Sequence, residues 1–203
     1  MIAIVDYGVG NLFSLISSFK KIGADIAVTS DPDVIHAADG IILPGVGAFR
    51  DAAQKLRDSG LDNVIISEAK GGKKLMGICL GMQMLFEKSF EYGCHTGLGL
   101  LKGNIVPMKS NIPDNLKIPH IGWNALHITR DSSLFKYIKP NDCVYFVHSF
   151  YASDCDDSII ATAEYGRELT AAVQKDNIIG CQFHPEKSGI VGLNILRAFC
   201  EME

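Results

Sequence analysis

The sequence predicts an α/β fold: one domain on a mostly parallel central sheet, with helices on both faces and a strand-rich second half. Three observations predict it. Short apolar runs alternate with amphipathic helical stretches through the first half, the order that builds parallel βαβ units. Strand-like runs follow one another in the second half with few helices between them. The 203 residues, 47% hydrophobic and 21% charged, suit a single domain with a substantial core.

Ile2–Val5 is wholly apolar and reads as a buried strand. Asn11 suits the N-cap of the next helix, whose Leu12, Leu15, Ile16, Phe19 and Ile22 share one face and which Gly23 ends. Ile26–Thr29 and Gly40–Leu43 read as strands, with Asp31-Pro-Asp opening a helix between them. Ala48–Arg57 and Asp62–Lys70 are helical, and Gly71-Gly72 punctuates before the apolar run Leu75, Met76 and Ile78. Strands are expected over Ile105–Met108, Ile118–Ile128, Val144–Phe150, Ile159–Glu164, Thr170–Gln174 and Ile178–Phe183, with Asp176-Asn177 as a hairpin turn. Ser188 opens a closing helix with Ile190, Leu193, Leu196 and Phe199 on one face. No repeat, low-complexity tract or linker divides the chain.

Composition excludes several classes of function. The net charge of −4, with Lys and Arg scattered, offers no basic field for nucleic acid. No apolar stretch approaches the ~20 residues of a membrane span, and the N-terminus lacks the pattern of a signal peptide. Six cysteines fall at 79, 94, 143, 155, 181 and 200. A disulfide scaffold belongs to small exported chains, so a reduced, cytoplasmic protein is expected. Cys143, Cys181 and Cys200 read as core, and Cys94 and Cys155 as loop thiols. Cys94-His95 has no second ligand pair at zinc spacing, so no metal or cofactor is expected. Gly8-Val-Gly10 lacks the third glycine of a dinucleotide loop, because Phe13 fills that place.

The chemistry concentrates at Cys79. Gly77-Ile-Cys-Leu-Gly81 lies where a strand gives way to a helix, the thiol counterpart of a nucleophile elbow. Flanking side chains would collide with strand and helix, and the helix N-terminus favours thiolate. A buried structural cysteine would look similar, so the elbow needs a base. His184-Pro-Glu186 supplies one: on a strand, His184 and Glu186 project to the same side, and a carboxylate then orients the imidazole. Cys79, His184 and Glu186 form a nucleophile, base and orienter.

These two motifs resemble those of the class I, triad-type glutamine amidotransferases. Asp6-Tyr-Gly-Val-Gly-Asn-Leu12, Leu43-Pro-Gly-Val-Gly-Ala-Phe49, Pro119-His-Ile-Gly-Trp-Asn124 and Tyr145-Phe-Val-His-Ser-Phe150 resemble, more narrowly, the glutaminase subunits of imidazole glycerol phosphate synthase. The resemblance runs the length of the chain and implies that fold, hydrolysis of L-glutamine to glutamate and ammonia, and a heterodimer with a cyclase barrel subunit. It implies that Gly45, Val46 and Gly47 form an oxyanion hole with the N–H of Leu80. By spacing alone, Pro44–Gly47 lies at the sheet's carboxyl edge, where open α/β folds bind ligands.

Gln83 sits one turn beyond Cys79 and faces the same pocket. The resemblance makes it a glutamine ligand, together with the backbone of His148, Ser149 and Phe150; on spacing alone His148 and Ser149 merely end a strand. Many relatives carry Tyr where this chain has Phe150, a change without consequence if that position contributes backbone. Trp123 is either core or an interface anchor. The resemblance places Asn11, Trp123 and Asn124 against the partner, with Tyr145 and Lys187 near the ammonia exit. Rival readings are a paralogous glutaminase serving a sugar-amidating enzyme, another thiol hydrolase or peptidase, or a non-catalytic binding relative.

Overall fold

The short apolar runs become the centre of an eight-stranded sheet in the computed structural model, which describes residues 1–202. The first half comprises β1 (Ile2–Val5), α1 (Leu12–Lys21), β2 (Ile26–Thr29), α2 (Pro32–Ala37), β3 (Gly40–Leu43), α3 (Phe49–Asp58), α4 (Leu61–Lys70), β4 (Lys74–Ile78) and α5 (Leu80–Met84). The second half comprises β5 (Lys88–Ser89), β6 (His95–Thr96), β7 (Asn104–Pro107), β8 (His120–Ala125), β9 (His127–Ile128) and β10 (Cys143–His148). It ends with β11 (Phe150–Ser153), β12 (Ile159–Glu164), β13 (Glu168–Lys175), β14 (Ile178–Cys181) and α6 (Gly189–Glu201). The sheet order is β2-β1-β3-β4-β14-β13-β12-β9. The first five strands run parallel and the last three antiparallel.

Alternation along the strands sorts the core into two layers. Ala3, Val5, Ile41, Leu43 and Leu75 pack with Ile35 of α2, Phe49 and Leu56 of α3, and Ile65 of α4. Ile2, Ile4, Ile42, Met76 and Ile78 face the other way, onto Leu15 and Phe19 of α1 and Ile195, Leu196 and Phe199 of α6. Helices therefore cover both faces. Lys74, buried at the start of β4, donates to the carbonyls of Cys200 and Met202, so one ammonium caps the end of α6 and ties it to the strand beneath the elbow.

Several expected elements divide or shift. Ile118–Ile128 is two strands, β8 paired with β10 and β9 with β12, because the fully buried Leu126 turns the chain between two sheets. Val144–Phe150 likewise breaks at Ser149, whose carbonyl accepts the Met108 N–H, and β11 continues in a separate sheet with β7. The short β5 and β6 carry no periodicity from which to expect them. Asn11 stands at the N-cap of α1 without a capping side-chain bond. Ile190 is 69% exposed, and α6 buries Gly192, Ile195, Leu196, Ala198 and Phe199 instead.

The cysteines are all free, but not all where expected. Cys143 is exposed, pointing away from the core at the start of β10. Cys155 is buried against Thr170, and that burial pushes its thiol up to about 11. Cys181 is core, Cys200 half-buried and Cys94 exposed. Among the described residues, no helix is long and apolar enough to cross a membrane, and no cluster of His, Cys, Asp and Glu is arranged to hold a metal.

Candidate active site

Three neighbouring strands deliver the site. β3, β4 and β14 are adjacent and parallel, so the loops after Leu43, Ile78 and Cys181 leave the same sheet edge. Cys79 follows β4 with φ 53° and ψ −110°, a strained conformation for a side-chain-bearing residue, of the kind that gathers at functional sites. Its N–H is bonded to the Cys181 carbonyl at 2.7 Å, which locks the elbow to β14. A Cβ on Gly77 would stand 2.6 Å from the Gly81 carbonyl oxygen, and one on Gly81 would overlap the Leu43 carbonyl. The expected crowding is real. α5, however, spans only five residues, so the elbow presents a few N–H groups rather than a long helix dipole.

His184 comes from the far end of the chain, by a route different from the expected one. β14 stops at Cys181, and Pro185–Lys187 forms a 3₁₀ turn instead of extending the strand. The turn still folds Glu186 back, so that its Oε1 meets His184 Nδ1 at 2.7 Å. The two side chains are 3% and 4% exposed. Glu186 Oε2 is buried and has no hydrogen-bond partner among the described residues. The His184 carbonyl accepts the Ser188 hydroxyl at 2.6 Å, and that hydroxyl accepts the Tyr145 N–H at 2.9 Å.

With Nδ1 on the carboxylate, the other nitrogen is left for Cys79. Burial alone would lower the imidazole's pKa. Its hydrogen bonds to Cys79 and Glu186, and their negative charge, outweigh that and raise it to about 9.

A cleft of about 330 Å³ opens over the sulfur. Of the residues expected to work here, Val46, Gly47, Leu80, Gln83, His148, Ser149 and Phe150 line it with Cys79 and His184. Gly45 lies beneath the wall, where a Cβ would stand 2.7 Å from the Gly81 nitrogen. Gln83 Nε2 donates to the Phe150 carbonyl at 3.3 Å and to Gln182 Oε1 at 3.0 Å, which leaves its own oxygen as an acceptor. His148 Nδ1 also donates to the Phe150 carbonyl, at 2.9 Å. Its Nε2 then accepts from His120 Nδ1 at 3.1 Å, so the His148 ring is neutral, and burial lowers its pKa to about 4.

Sequence reasoning missed Glu91, Tyr92, Pro119 and Val147 in the cleft wall, and Gln182 behind it. Gln182 left a signal: it is a lone amide inside the apolar run Ile178–Phe183, and a buried amide needs partners. Its Nε2 lies 3.8 Å from Cys79 Sγ. Glu91 left none, since it stands in an aperiodic loop between two-residue strands.

The whole arrangement is a cysteine, an imidazole and an orienting carboxylate in a cleft, beside a glycine loop. That sheet and triad extend through nearly the entire chain, and residues 3–201 match the family model of glutamine amidotransferase class-I. The chain belongs to that family.

The amidotransferase is 50% identical over 203 residues to a protein from Caldanaerobacter subterraneus subsp. tengcongensis named imidazole glycerol phosphate synthase subunit HisH, covering 100% of this chain and 98% of the relative. A protein of the same name from Methanothermobacter thermautotrophicus is 48% identical over 202 residues, covering 100% and 98%. Among solved structures, a glutamine amidotransferase superposes with a TM-score of 0.77 at 16% identity over 99% of this chain and 98% of that one. PurLQS from Thermotoga maritima gives 0.75 at 22% over 98% and 96%. These likenesses confirm the fold.

The residues expected at a partner fall into three settings. Trp123, 57% exposed, lies edge-on to Tyr145 at 6.2 Å, and Lys187 Nζ stands 5.8 Å from the Tyr145 ring centre. Asn124 points the other way on β8, its Nδ2 on the Glu164 carbonyl and its Oδ1 on the Ala125 N–H. Asn11 is half-buried at the start of α1.

Proposed function

We propose that this amidotransferase is the glutaminase subunit of an imidazole glycerol phosphate synthase, making ammonia for a separate cyclase barrel subunit in histidine biosynthesis. The observation that carries the proposal is the Cys79–His184–Glu186 arrangement in a chain matched end to end by proteins named as that subunit.

The steps follow from the geometry. Cys79, its proton taken by His184, attacks the carboxamide carbon of glutamine, and the carbonyl electron pair moves onto oxygen. N–H groups of Leu80 and of the Gly45–Gly47 loop hold that oxyanion, one such donor being worth ~3 kcal/mol. The intermediate collapses, the C–N bond breaks, and His184 gives its proton to the departing ammonia, leaving a γ-glutamyl thioester. Water then passes a proton to His184 and attacks the thioester, so the C–S bond breaks and glutamate leaves.

Glu91 is the carboxylate lining the cleft, and we assign it the α-ammonium of glutamine. Gln83 Oε1 and the backbone at Ser149 and Phe150 complete the grip. Glu91→Gln keeps an acceptor for the Phe49 N–H but removes the charge. It raises KM for glutamine roughly tenfold or more, since a hydrogen bond to a charged group is worth ~1.5–3 kcal/mol, and changes kcat less. Steady-state kinetics read the split.

Ammonia released into water is protonated and loses its nucleophilicity, which favours direct transfer to a docked acceptor. The exposed apolar side chains Phe13, Ile121, Trp123 and Ile190, with Lys187 beside them, support a docking face next to the site. Treatment with a glutamine-like diazo-ketone labels Cys79 alone among the six cysteines, read by peptide mapping. Labelling chiefly at Cys181 or Cys94 would overturn the assignment.

A further inference from the structure

Tyr7 follows β1 and is buried in the core layer that also holds Leu43, Phe49 and Leu80. It does not line the cleft, so it cannot touch glutamine. Its hydroxyl donates to the Pro44 carbonyl oxygen at 2.8 Å. Burial pushes the phenol well above the usual tyrosine range, so the hydroxyl keeps its proton throughout the working range of pH.

That carbonyl belongs to the same rigid plane as the Gly45 N–H, because the peptide unit does not twist. Holding it fixes how the next residues leave the sheet. Five residues on from Pro44, at the far end of the loop, the Phe49 N–H is held by Glu91 Oε2 at 2.5 Å. Between these two pins, the main-chain groups of Gly45, Val46 and Gly47 make no hydrogen bond to any described residue. Gly47 has φ 91°, and Val46 is 40% exposed at the cleft. The direction of the Val46 and Gly47 N–H groups therefore depends on the pins.

The pin on the Pro44 side is tied to the surface. Gly8, next to Tyr7, has its N–H on Asp6 Oδ1 at 3.1 Å and its carbonyl on Lys55 Nζ at 3.3 Å. Gly10 abuts the Pro44 ring so closely that a Cβ there would come within 3.2 Å.

We infer that Tyr7 is a positioning residue for glutamine hydrolysis: its hydroxyl, bonded to the Pro44 carbonyl, sets the pose in which the 45–47 loop presents its N–H donors to the oxyanion. The inference rests on the reading of that loop as part of the oxyanion hole. It makes the segment from Asp6 to Asn11 a mechanical neighbour of the reacting carbonyl.

The test is Tyr7→Phe, which keeps the ring and deletes one hydroxyl. With the cyclase subunit present, kcat for glutamate release falls roughly 10- to 100-fold, a fraction of what a whole oxyanion donor is worth, and KM stays within about twofold. Alkylation of Cys79 by iodoacetamide, followed on its own peptide, proceeds at the wild-type rate, because that displacement passes through no tetrahedral oxyanion. An elbow that had merely lost its shape would slow both reactions together, and that result, or an unchanged kcat, would overturn the inference.

Val46→Pro, which removes one loop N–H, is measured alongside. A large loss of kcat in Val46→Pro with none in Tyr7→Phe rejects the role of Tyr7 alone. No loss in either rejects the oxyanion reading of the loop, and the inference with it.

Discussion

His184→Ala lowers the rate of glutamine hydrolysis by about 10⁴-fold or more, the scale seen when a triad loses its base, while Glu186→Gln leaves more activity behind. The first variant deletes the group that takes the thiol proton and returns it to ammonia. The second keeps the imidazole but replaces a charged acceptor, 2.7 Å from Nδ1, with a neutral amide.

The pH dependence separates these roles. Burial pulls the His184 pKa down, and the bonds and charge of Cys79 and Glu186 raise it to about 9. The protonated ring is the form that serves the leaving group, so activity is lost as pH rises through about 9. In Glu186→Gln the raising contribution of Glu186 is gone while burial remains, and the alkaline limb of kcat moves to lower pH. Stability follows the same sign. A folded pKa above the unfolded ~6.5 stabilises fully below that value and fades as pH climbs toward the folded one. Glu186→Gln therefore costs more stability near pH 6 than near pH 10, by denaturant titration. A Glu186→Gln enzyme slower than His184→Ala would give the carboxylate a different role.

How much of this could be read from the chain depended on whether a residue's partners were close in sequence. β1 to β4 and their helices were legible because each apolar run is a whole strand and each helical face buries its own stripe. Cys79 was legible because Gly77 is demanded by the nearby backbone of Gly81 and marks a tight turn, although Gly81 itself answers to the distant Leu43 carbonyl. His184 and Glu186 were paired correctly for a reason that proved local but different, a 3₁₀ turn rather than strand alternation. The second half resisted because its breaks, at Leu126 and Ser149, answer to strands elsewhere: β8 and β9 join different sheets, as do β10 and β11. Periodicity carries no record of which sheet a strand joins. Glu91 and Tyr7 were invisible for the same reason. One reaches the Phe49 N–H and the other the Pro44 carbonyl, across 42 and 37 residues.

The proposed function predicts that the amidotransferase alone hydrolyses glutamine slowly and that a cyclase subunit carrying its ribonucleotide substrate raises the rate by ~10²–10³-fold, the worth of one oxyanion donor. The motive is the suspended span Gly45–Gly47, whose main chain has no internal bond to choose a single orientation. Hydrolysis with no acceptor waiting wastes glutamine, so an idle chain that holds a donor turned away is the economical resting state. A ligand bound to the partner activates only by favouring the donor-in state over the donor-out state. A hundredfold gain requires that the donor-in state be about 1% populated or less at rest; from 1%, docking and ligand together must favour it by roughly 5.5 kcal/mol to fill it.

Two routes lead from the surface toward the site, one of them to the span itself. Trp123 and Tyr145 sit on the β8–β10 ribbon with Lys187 of the 3₁₀ turn near the Tyr145 ring, and β10 runs directly into His148, Ser149 and Phe150 of the cleft wall. The segment from Asp6 to Asn11 reaches Pro44 through Tyr7. Glutamate release is measured for the chain alone, with the cyclase subunit, and with that subunit and its ribonucleotide. Full activity of the chain alone rejects the resting state. A normally folded, fully labelled Cys79 enzyme that ignores the ribonucleotide rejects the histidine-pathway partner instead and points to a sugar-amidating one.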